Sequence, residues 1–362
     1  MTARREIPTI PDVAREAGVS MATAARALGG YGSVSAAAKE RVAQAAKTLG
    51  YRPNVVARSM ITGRTNAIGV VLADIENAFF SSAVRGIADA ARAAGQHVIL
   101  ANTDEDIEKE HAAIRVFVER RVDGLIVCPT DGTDRTYLRG IIEQGTPVVL
   151  LDRRIRGLRA DSVGIDNHRA AYEATRYLLA AGHERIGVVT GTASDVEAAL
   201  HRPGLVGVEN LVGMTGGERT AGYRDALLQA GIEPRVDYVV SGGGYRREDA
   251  VAATKELMAL EEPPTAILPL DSILSLGVLQ AVRELGLRCP RDVSVVGFDD
   301  AEWTETVTPP LTVVAQPVQE IGARALQRLL SRIDGSRQRP VHETLETTLV
   351  ERESVGPPLS EG

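Results

Sequence analysis

From Arg64 onward the chain alternates short, continuously apolar runs with amphipathic stretches of helical length, in two successive rounds. The apolar runs are Ala67 to Ala73, His97 to Ala101, Gly124 to Cys128, Val148 to Leu151, Ile186 to Thr190, a weak Val239 to Val240, Ala266 to Leu270 and Val293 to Phe298. A strand without polar alternation has no solvent face, so both its sides must be covered. Such strands, alternating with helices, build a parallel sheet with helices on each face. One round extends to about Asp166 and the next begins near Arg185. Two doubly wound lobes are expected, with a cleft where the carboxyl ends of the strands meet.

Polar residues stand at those ends: Asp74, Asn102 and Asp104, Asp152 and Arg153, and Asp299 with Asp300. A carboxylate such as Asp299 accepts hydrogen bonds from vicinal hydroxyls, and a guanidinium such as Arg153 or Arg219 donates them. Phe79, Phe80 and Trp303 offer faces on which an apolar ring face can stack. Each residue alone also fits a plainer reading, a helix cap or surface ion pair for the charges and core packing for the phenylalanines. Two lobes closing on a small polar molecule form a hinge that the ligand biases through its differential contacts.

Ahead of this body lies a different pattern. Thr9 with Asp12 three residues on is a capping box, and Ile10, Val13, Ala14 and Ala17 share one face of the helix it opens. Gly18 stops that helix. Ser20 caps a second one from Met21 to Leu28, with Ala24, Ala27 and Leu28 inward and Met21, Ala22, Thr23 and Arg26 outward. Helix, tight turn and helix is the helix-turn-helix, whose second helix enters the major groove of DNA. A third helix runs from a Ser35 cap through Val42, Ala45, Ala46 and Leu49 to a stop at Gly50. Arg52 to Gly63 reads as a separate short basic helix. Residues 1–66 carry ten Lys or Arg against four Asp or Glu, a formal +6, whereas the whole chain is −7, leaving −13 for the rest. A basic head on an acidic body gives phosphate attraction one location.

The remaining composition excludes several classes. At 362 residues and 44% hydrophobic, the chain can bury two or three cores. No apolar run approaches the ~18 residues that span a bilayer, and the basic N-terminus leads into helix signals in place of a signal-peptide core. A cytoplasmic protein without membrane association is expected. Cys128 and Cys289 are the only cysteines and read as free thiols. The six histidines show no metal-ligand spacing, so neither a metal nor any other cofactor is expected. No order or spacing of Ser, His, Asp or Cys suggests a catalytic residue, and the chain reads as a non-enzyme.

The residues also carry a resemblance. Thr9-Ile-Pro-Asp-Val-Ala-Arg-Glu-Ala-Gly-Val-Ser20, Gly50-Tyr-Arg-Pro-Asn54, Asn102-Thr-Asp-Glu-Asp106, Arg121-Val-Asp-Gly-Leu-Ile126, Ala221-Gly-Tyr223, Ser294-Val-Val-Gly-Phe-Asp-Asp300 and Pro309-Pro-Leu-Thr312 resemble, over nearly the whole length, the lactose-repressor (LacI/GalR) family of transcription regulators. The resemblance implies an all-α helix-turn-helix head on a two-lobed α/β body like that of type I periplasmic binding proteins, with parallel sheets. It implies a homodimer on a palindromic double-stranded DNA operator and a small effector, a sugar or polyol, in the cleft. Residues 1–52 would be the DNA-binding domain, 53–65 the hinge helix and linker, 66–350 the effector and dimerisation domain, and 351–362 a tail. The first lobe would comprise about 66–167 and 316–340, the second about 168–315 and 341–350.

By the same resemblance Met21, Ala22, Thr23 and Arg26 enter the major groove, and Thr9, Ser20 and Ser35 lie near phosphates. Asn54 would cap the hinge helix, Ala57 would sit in the minor groove, and Met60 would stand where relatives most often wedge a leucine between base pairs. Met21 and Ala22 cannot make bidentate hydrogen bonds to bases, so readout there falls to thymine methyls or shape. Arg219 and Asp299 match effector-holding positions, and Phe79 and Phe80 match an aromatic pair that lines the cleft. Leu270-Asp271 stands where relatives commonly have Asn-Asp, which turns the expectation from a fully hydroxylated hexose toward a pentose, polyol or partly apolar ligand. Thr192 to Glu218 is longer than usual between a strand and its helix and reads as a loop, or as a lid. The C-terminal residues carry no leucine heptads, so no coiled-coil tetramer is expected.

Two other classes share parts of this pattern. An extracytoplasmic sugar-binding protein has the same body but leaves the head without a purpose. A doubly wound nucleotide-dependent enzyme would need a G-x-G-x-x-G turn after a strand, and Gly242-Gly-Gly244 lacks that spacing.

Overall fold

The computed structural model describes residues 8–29, 31–51, 63–192 and 214–359. The chain divides into two units, residues 1–67 and 68–362.

The first unit holds α1 (Ile10–Glu16), α2 (Met21–Gly29) and α3 (Ala36–Leu49). Each start is fixed by its cap. Asp12 accepts from both the backbone N–H (2.9 Å) and the hydroxyl (2.6 Å) of Thr9. Ser20 Oγ accepts from Thr23 N at 3.1 Å and Ser35 Oγ from Ala38 N at 3.3 Å. Gly18 (φ 63°) and Gly50 (φ 65°) end α1 and α3 in the left-handed region that favours glycine. The core between the helices is small: Val13, Ala14, Ala17, Ala24, Val42, Ala45 and Ala46, with Ile10, Ala27, Leu28 and Leu49 against it. Every residue assigned inward from periodicity is in this cluster or packed on it.

The second unit contains two six-stranded sheets. The first, in order β11-β5-β4-β3-β1-β2, comprises β1 (Ala67–Leu72), β2 (His97–Asn102), β3 (Gly124–Val127), β4 (Val148–Leu151), β5 (Asp161–Ile165) and β11 (His342–Leu345). The second, in order β12-β10-β9-β8-β6-β7, comprises β6 (Ile186–Thr190), β7 (Val239–Ser241), β8 (Ala266–Pro269), β9 (Ser294–Phe298), β10 (Thr312–Ala315) and β12 (Thr348–Val350). The two orders are the same once renumbered, so the lobes share one strand order. β3 lies parallel to β1 and β4, and β8 parallel to β6 and β9; the edge strand β11 lies parallel to β5, whereas β12 runs antiparallel to β10.

Helices α4 (Ala78–Ala93), α5 (Ile107–Glu119) and α6 (Thr136–Glu143) belong to the first lobe; α7 (Asn167–Ala180), α8 (Thr215–Gln229), α9 (Arg247–Met258), α10 (Ser272–Glu284) and α11 (Trp303–Thr306) belong to the second. The last helix, α12 (Val318–Ile333), returns to pack on α4 and on β3, β4 and β5. The chain thus crosses between lobes after β5, after β10 and after β11. At the helix crossings backbone meets backbone closely. A Cβ on Gly86 would lie 2.0 Å from the Gln319 carbonyl oxygen, and one on Gly322 2.1 Å from that of Ala83, which is why both positions on the α4–α12 contact are glycine.

Four strands escaped the sequence reading. β5 opens with Asp161 and Ser162, and its buried Asp161 is held by Arg332 of α12 (Nε to Oδ2, 2.6 Å) and by the N–H of Val341 (2.8 Å), partners remote in sequence. β10 lies beyond the last apolar run read from the sequence, and β11 and β12 are short and half exposed. The expected lobe boundary at 341 is corrected accordingly: His342–Leu345 extends the first sheet beside β5, and only β12 joins the second. The expected tail is corrected as well. Ser354 is fully buried, its hydroxyl donating to Val295 O (2.6 Å) and accepting from Thr312 N (2.8 Å), and Gly356 O accepts from the His183 ring (2.8 Å). Of the long 192–218 connection, residues 193–213 lie outside the described residues, and the helix begins at Thr215, earlier than expected.

Candidate functional site

Two regions carry the chemistry. On the first unit, Met21 (61% exposed), Ala22 and Arg26 project from the outer face of α2, and Thr23 is half-buried beside them. Arg26 is steadied along the helix by a bond from its Nε to Ala22 O (3.2 Å). Thr9, Ser20 and Ser35 stand at the N-termini of the three helices, where unpaired N–H groups and the helix dipole favour anions. The Ser20 and Ser35 hydroxyls already accept helix N–H groups, and the Thr9 hydroxyl donates to Asp12. Asn54, Ala57 and Met60 lie outside the described residues.

On the second unit, the carboxyl ends of both sheets border a cavity of about 990 Å³. Asn77, Phe80, Asn102, Asp104, Glu105 and Arg153 line it from the first lobe, and Thr192, Met214, Gly244, Tyr245 and Arg246 from the second. Asp104 is an exposed rim residue paired with Lys109. Arg153 is 4% exposed; Glu105 takes its Nη1 and Nη2 at 2.7 Å each, and the face of its guanidinium lies 5.9 Å from the centre of the Tyr245 ring. The Tyr245 ring occupies the space a side chain at position 191 would need, a Cβ there falling 2.4 Å from Cζ.

Beneath this cavity lies a buried polar layer. Arg219 (4% exposed) lies 4.2 Å above the Phe298 ring, donates from Nε to Asn167 Oδ1 (2.8 Å) and from Nη1 to the Leu270 carbonyl. Asp152 and Asp299 follow the equivalent strands β4 and β9, and both adopt left-handed backbone (φ 64° and 67°). Each donates its N–H to the next strand, to Val163 O (2.8 Å) and Val314 O (2.9 Å) respectively. Asp299 accepts from the Gln316 amide at 2.7 Å. Burial pushes the Asp299 carboxyl up to about 7 against the pull of Arg219, with Asp271 and Asp152 adding to the rise. Burial also raises the carboxyls of Asp152 and Asp271, again against Arg219.

The structure separates the residues expected around one ligand. Phe80, Asp104 and Arg153 line the large cavity. Phe79 packs edge-on against Phe80 (centroids 5.2 Å apart) and, with Asp299 and Gln316, lines a smaller one of about 330 Å³. Asp271 caps α10 through Ile273 N (2.7 Å) and bonds Asn77 across the lobes, while the Leu270 side chain is buried in the core. Trp303 is a correction: it packs half-buried against the second lobe's apolar cluster and lines none of these cavities. Gly242 follows from packing, since a Cβ there would meet the Asp249 carbonyl oxygen at 2.2 Å.

Several lining residues are absent from the sequence reading, Asn77, Glu105, Tyr245 and Gln316 among them. Asn77 carried a readable signal, a cap residue two positions before Phe79. Glu105 adjoins Asp104, and Tyr245 follows the glycine run weighed only for a nucleotide. Gln316 follows the unrecognised strand β10 and had no signal.

The comparisons agree with this fold. A family profile described as "Bacterial regulatory proteins, lacI family" matches residues 9–54, and one described as "Periplasmic binding protein-like domain" matches residues 175–355. Catabolite control protein A of Priestia megaterium is 33% identical over 343 residues, covering 95% of this chain and 96% of that protein. The lac repressor dimer bound to operator and the anti-inducer ONPF superposes with a TM-score of 0.81 at 25% identity, over 97% of this chain and 100% of that one. A LacI family transcriptional regulator from Enterococcus faecium, solved with bound ribose, gives 0.67 at 27% identity, over 80% and 99%. The chain therefore belongs to the lacI family of bacterial regulatory proteins and is a DNA-binding transcriptional regulator.

Proposed function

We propose that this regulator binds a palindromic operator as a homodimer and that a pentose or other small polyol in the cleft alters its grip. The observation that carries the ligand reading is the pairing of polar side chains with aromatic walls in the large cavity. Asn77, Asn102, Thr130 and Asp131 offer donors and acceptors there at several angles, and Phe80 and Tyr245 offer ring faces, while Asp299 and Gln316 face the smaller cavity. Leu270, which has no side-chain hydrogen bond to give, favours a ligand with fewer hydroxyls than a hexose. The similar Enterococcus faecium protein was solved with ribose.

For the DNA, Met21, Ala22, Thr23 and Arg26 supply the groove-facing side of α2, and Thr9, Ser20 and Ser35 the phosphate-facing helix starts. Asn54, Ala57 and Met60 take the hinge roles that the family resemblance gives them. A hinge helix of about six residues within 53–65 would be too short to stand alone in water, so a paired copy on DNA would support it. Dimerisation is further supported by the edge strand β2, where Ile99 is 39% exposed, and by Val116 of α5 at 43%. The similar lac repressor was solved as a dimer on operator.

Fluorescence anisotropy with palindromic DNA from the region upstream of its own gene tests the operator reading. Binding should be steep in salt because neutralised phosphates release counterions. Thermal shift with ribose, arabinose and ribitol tests the ligand, since a ligand of the folded form raises its melting temperature. Sequence-independent binding in the first assay, or no shift with any sugar or polyol in the second, sinks the corresponding part.

A further inference from the structure

The arginines around the cleft are already engaged by acceptors of the protein. Arg246 on the rim donates from Nε and Nη2 to the Asp249 carboxylate (2.9 and 3.3 Å). Arg219 beneath is held by Asn167 Oδ1 and the Leu270 carbonyl. Arg153, which lines the cavity, is engaged most completely. Glu105 takes both outer nitrogens in a two-point pair at 2.7 and 2.7 Å, and Pro129 O takes Nη1 again at 3.3 Å; only Nε is left buried without a partner.

Glu105 reaches Arg153 from a distance in the fold. It follows β2 at one edge of the sheet, while Arg153 follows β4, with the ends of β1 and β3 between them. Asp104 and Glu105 adopt successive left-handed conformations (φ 53° and 58°), an arrangement uncommon outside glycine and asparagine. The cap of α5 by Asp106, which accepts from Glu108 N and Lys109 N, closes this turn.

Two parallel N–H donors of a guanidinium are the natural partner of a carboxylate or phosphate. In this cleft the Nη1/Nη2 edge is filled from within and Nε is buried, and Asp74, Glu76 and Asp131 line the same cavity with further negative charge, Asp104 being paired with Lys109. An anionic ligand would meet repulsion and no exposed fork, whereas a hydroxylated neutral ligand needs only single donors and acceptors. We propose that Glu105 sets the charge selectivity of the effector cleft: by occupying Arg153 it makes the site accept uncharged hydroxylated molecules and reject their acids and phosphate esters. The inference rests on the reading of the cleft as a sugar or polyol site.

Calorimetric titration at constant ionic strength tests it, using ribose, ribonate, ribose 5-phosphate and inorganic phosphate on the full chain. The wild type should bind none of the three anions. Glu105→Ala and Glu105→Gln should bind at least one anion about tenfold tighter or more than the wild type, and Arg153→Met in the Glu105→Ala background should abolish that gain. Near-ultraviolet circular dichroism identifies which of the two Glu105 variants keeps the native packing. A wild type that binds ribonate or ribose 5-phosphate as tightly as ribose overturns the proposal, as does a folded Glu105 variant that gains no anion, or a gain that survives loss of Arg153. If ribose fails on the wild type but the Arg153-dependent gain appears, the charge filter stands and the pentose assignment alone falls.

Discussion

Asn77 Nδ2 donates to Asp271 Oδ2 at 3.1 Å, joining the residue that caps α4 in the first lobe to the residue that caps α10 in the second. Ser272 Oγ adds a bond to Asn77 Oδ1 at 3.2 Å. Two helix starts, one from each lobe, are thus tied by their own capping side chains. Asn77→Ala should loosen this tie and cost about 1 kcal/mol of stability through the lost cap. Small-angle scattering should show a larger radius of gyration for the ligand-free variant, and ligand affinity should fall several-fold. An unchanged radius would show that the tie does not hold the lobes together.

The Asp299 carboxyl gives a pH dependence of definite sign. Its value in the fold, about 7, lies above the ordinary 3.8, so the native state holds a proton that the unfolded chain releases. Stability contributed by this group is therefore present at low pH and is lost as pH rises from about 4 to about 7. His183 and His342, whose values burial lowers, act the other way below neutrality. Asp299→Asn keeps those histidines, so the difference between the two urea-melt profiles isolates Asp299, and it should flatten above about pH 7. A polyol that donates to the ionised carboxylate should bind wild type more tightly at pH 8 than at pH 6, and the variant should lose that slope.

On the DNA side, Arg26→Ala should weaken operator binding about tenfold while leaving the ligand-induced thermal shift intact. Ser20→Ala removes the acceptor for Thr23 N and should cost the head about 1 kcal/mol, read by head-specific amide exchange. Loss of both DNA binding and ligand shift in Arg26→Ala would indicate misfolding of the body instead of a groove contact.

The glycines at the α4–α12 crossing yield a packing prediction. Gly86→Ala places a methyl 2.0 Å from backbone oxygen that cannot rotate away, so the helices must separate. A loss of about 3 kcal/mol is expected in chemical denaturation, larger than for Gly140→Ala, whose Cβ would meet nothing within 4 Å. Equal effects at the two positions would refute the close approach.

Much of this architecture was legible because the decisive signals are local. Capping at Thr9, Ser20 and Ser35, the left-handed stops at Gly18 and Gly50, and the continuous apolar strands each act within a few residues. Polar residues at strand ends pointed to the cleft for the same reason. What escaped depends on distant partners. Asp161 sits in a strand because Arg332 neutralises it, and Ser354 is buried because Val295 and Thr312 bond it. Glu105 belongs to the cleft through Arg153, 48 positions away, and Trp303 shows that an aromatic beside Asp299 can as readily serve a core.

Neither lobe is made from one continuous stretch of chain. β1 to β5 are the first part of the body to leave a ribosome, yet the helix that covers β3, β4 and β5, and the strand that borders β5, come from residues 318–333 and 342–345. A nascent chain must keep that apolar sheet face uncovered until β6 to β10 of the second lobe have been made, and the second lobe in turn waits for β12 and for Ser354, so each lobe is closed by residues from the last part of the chain.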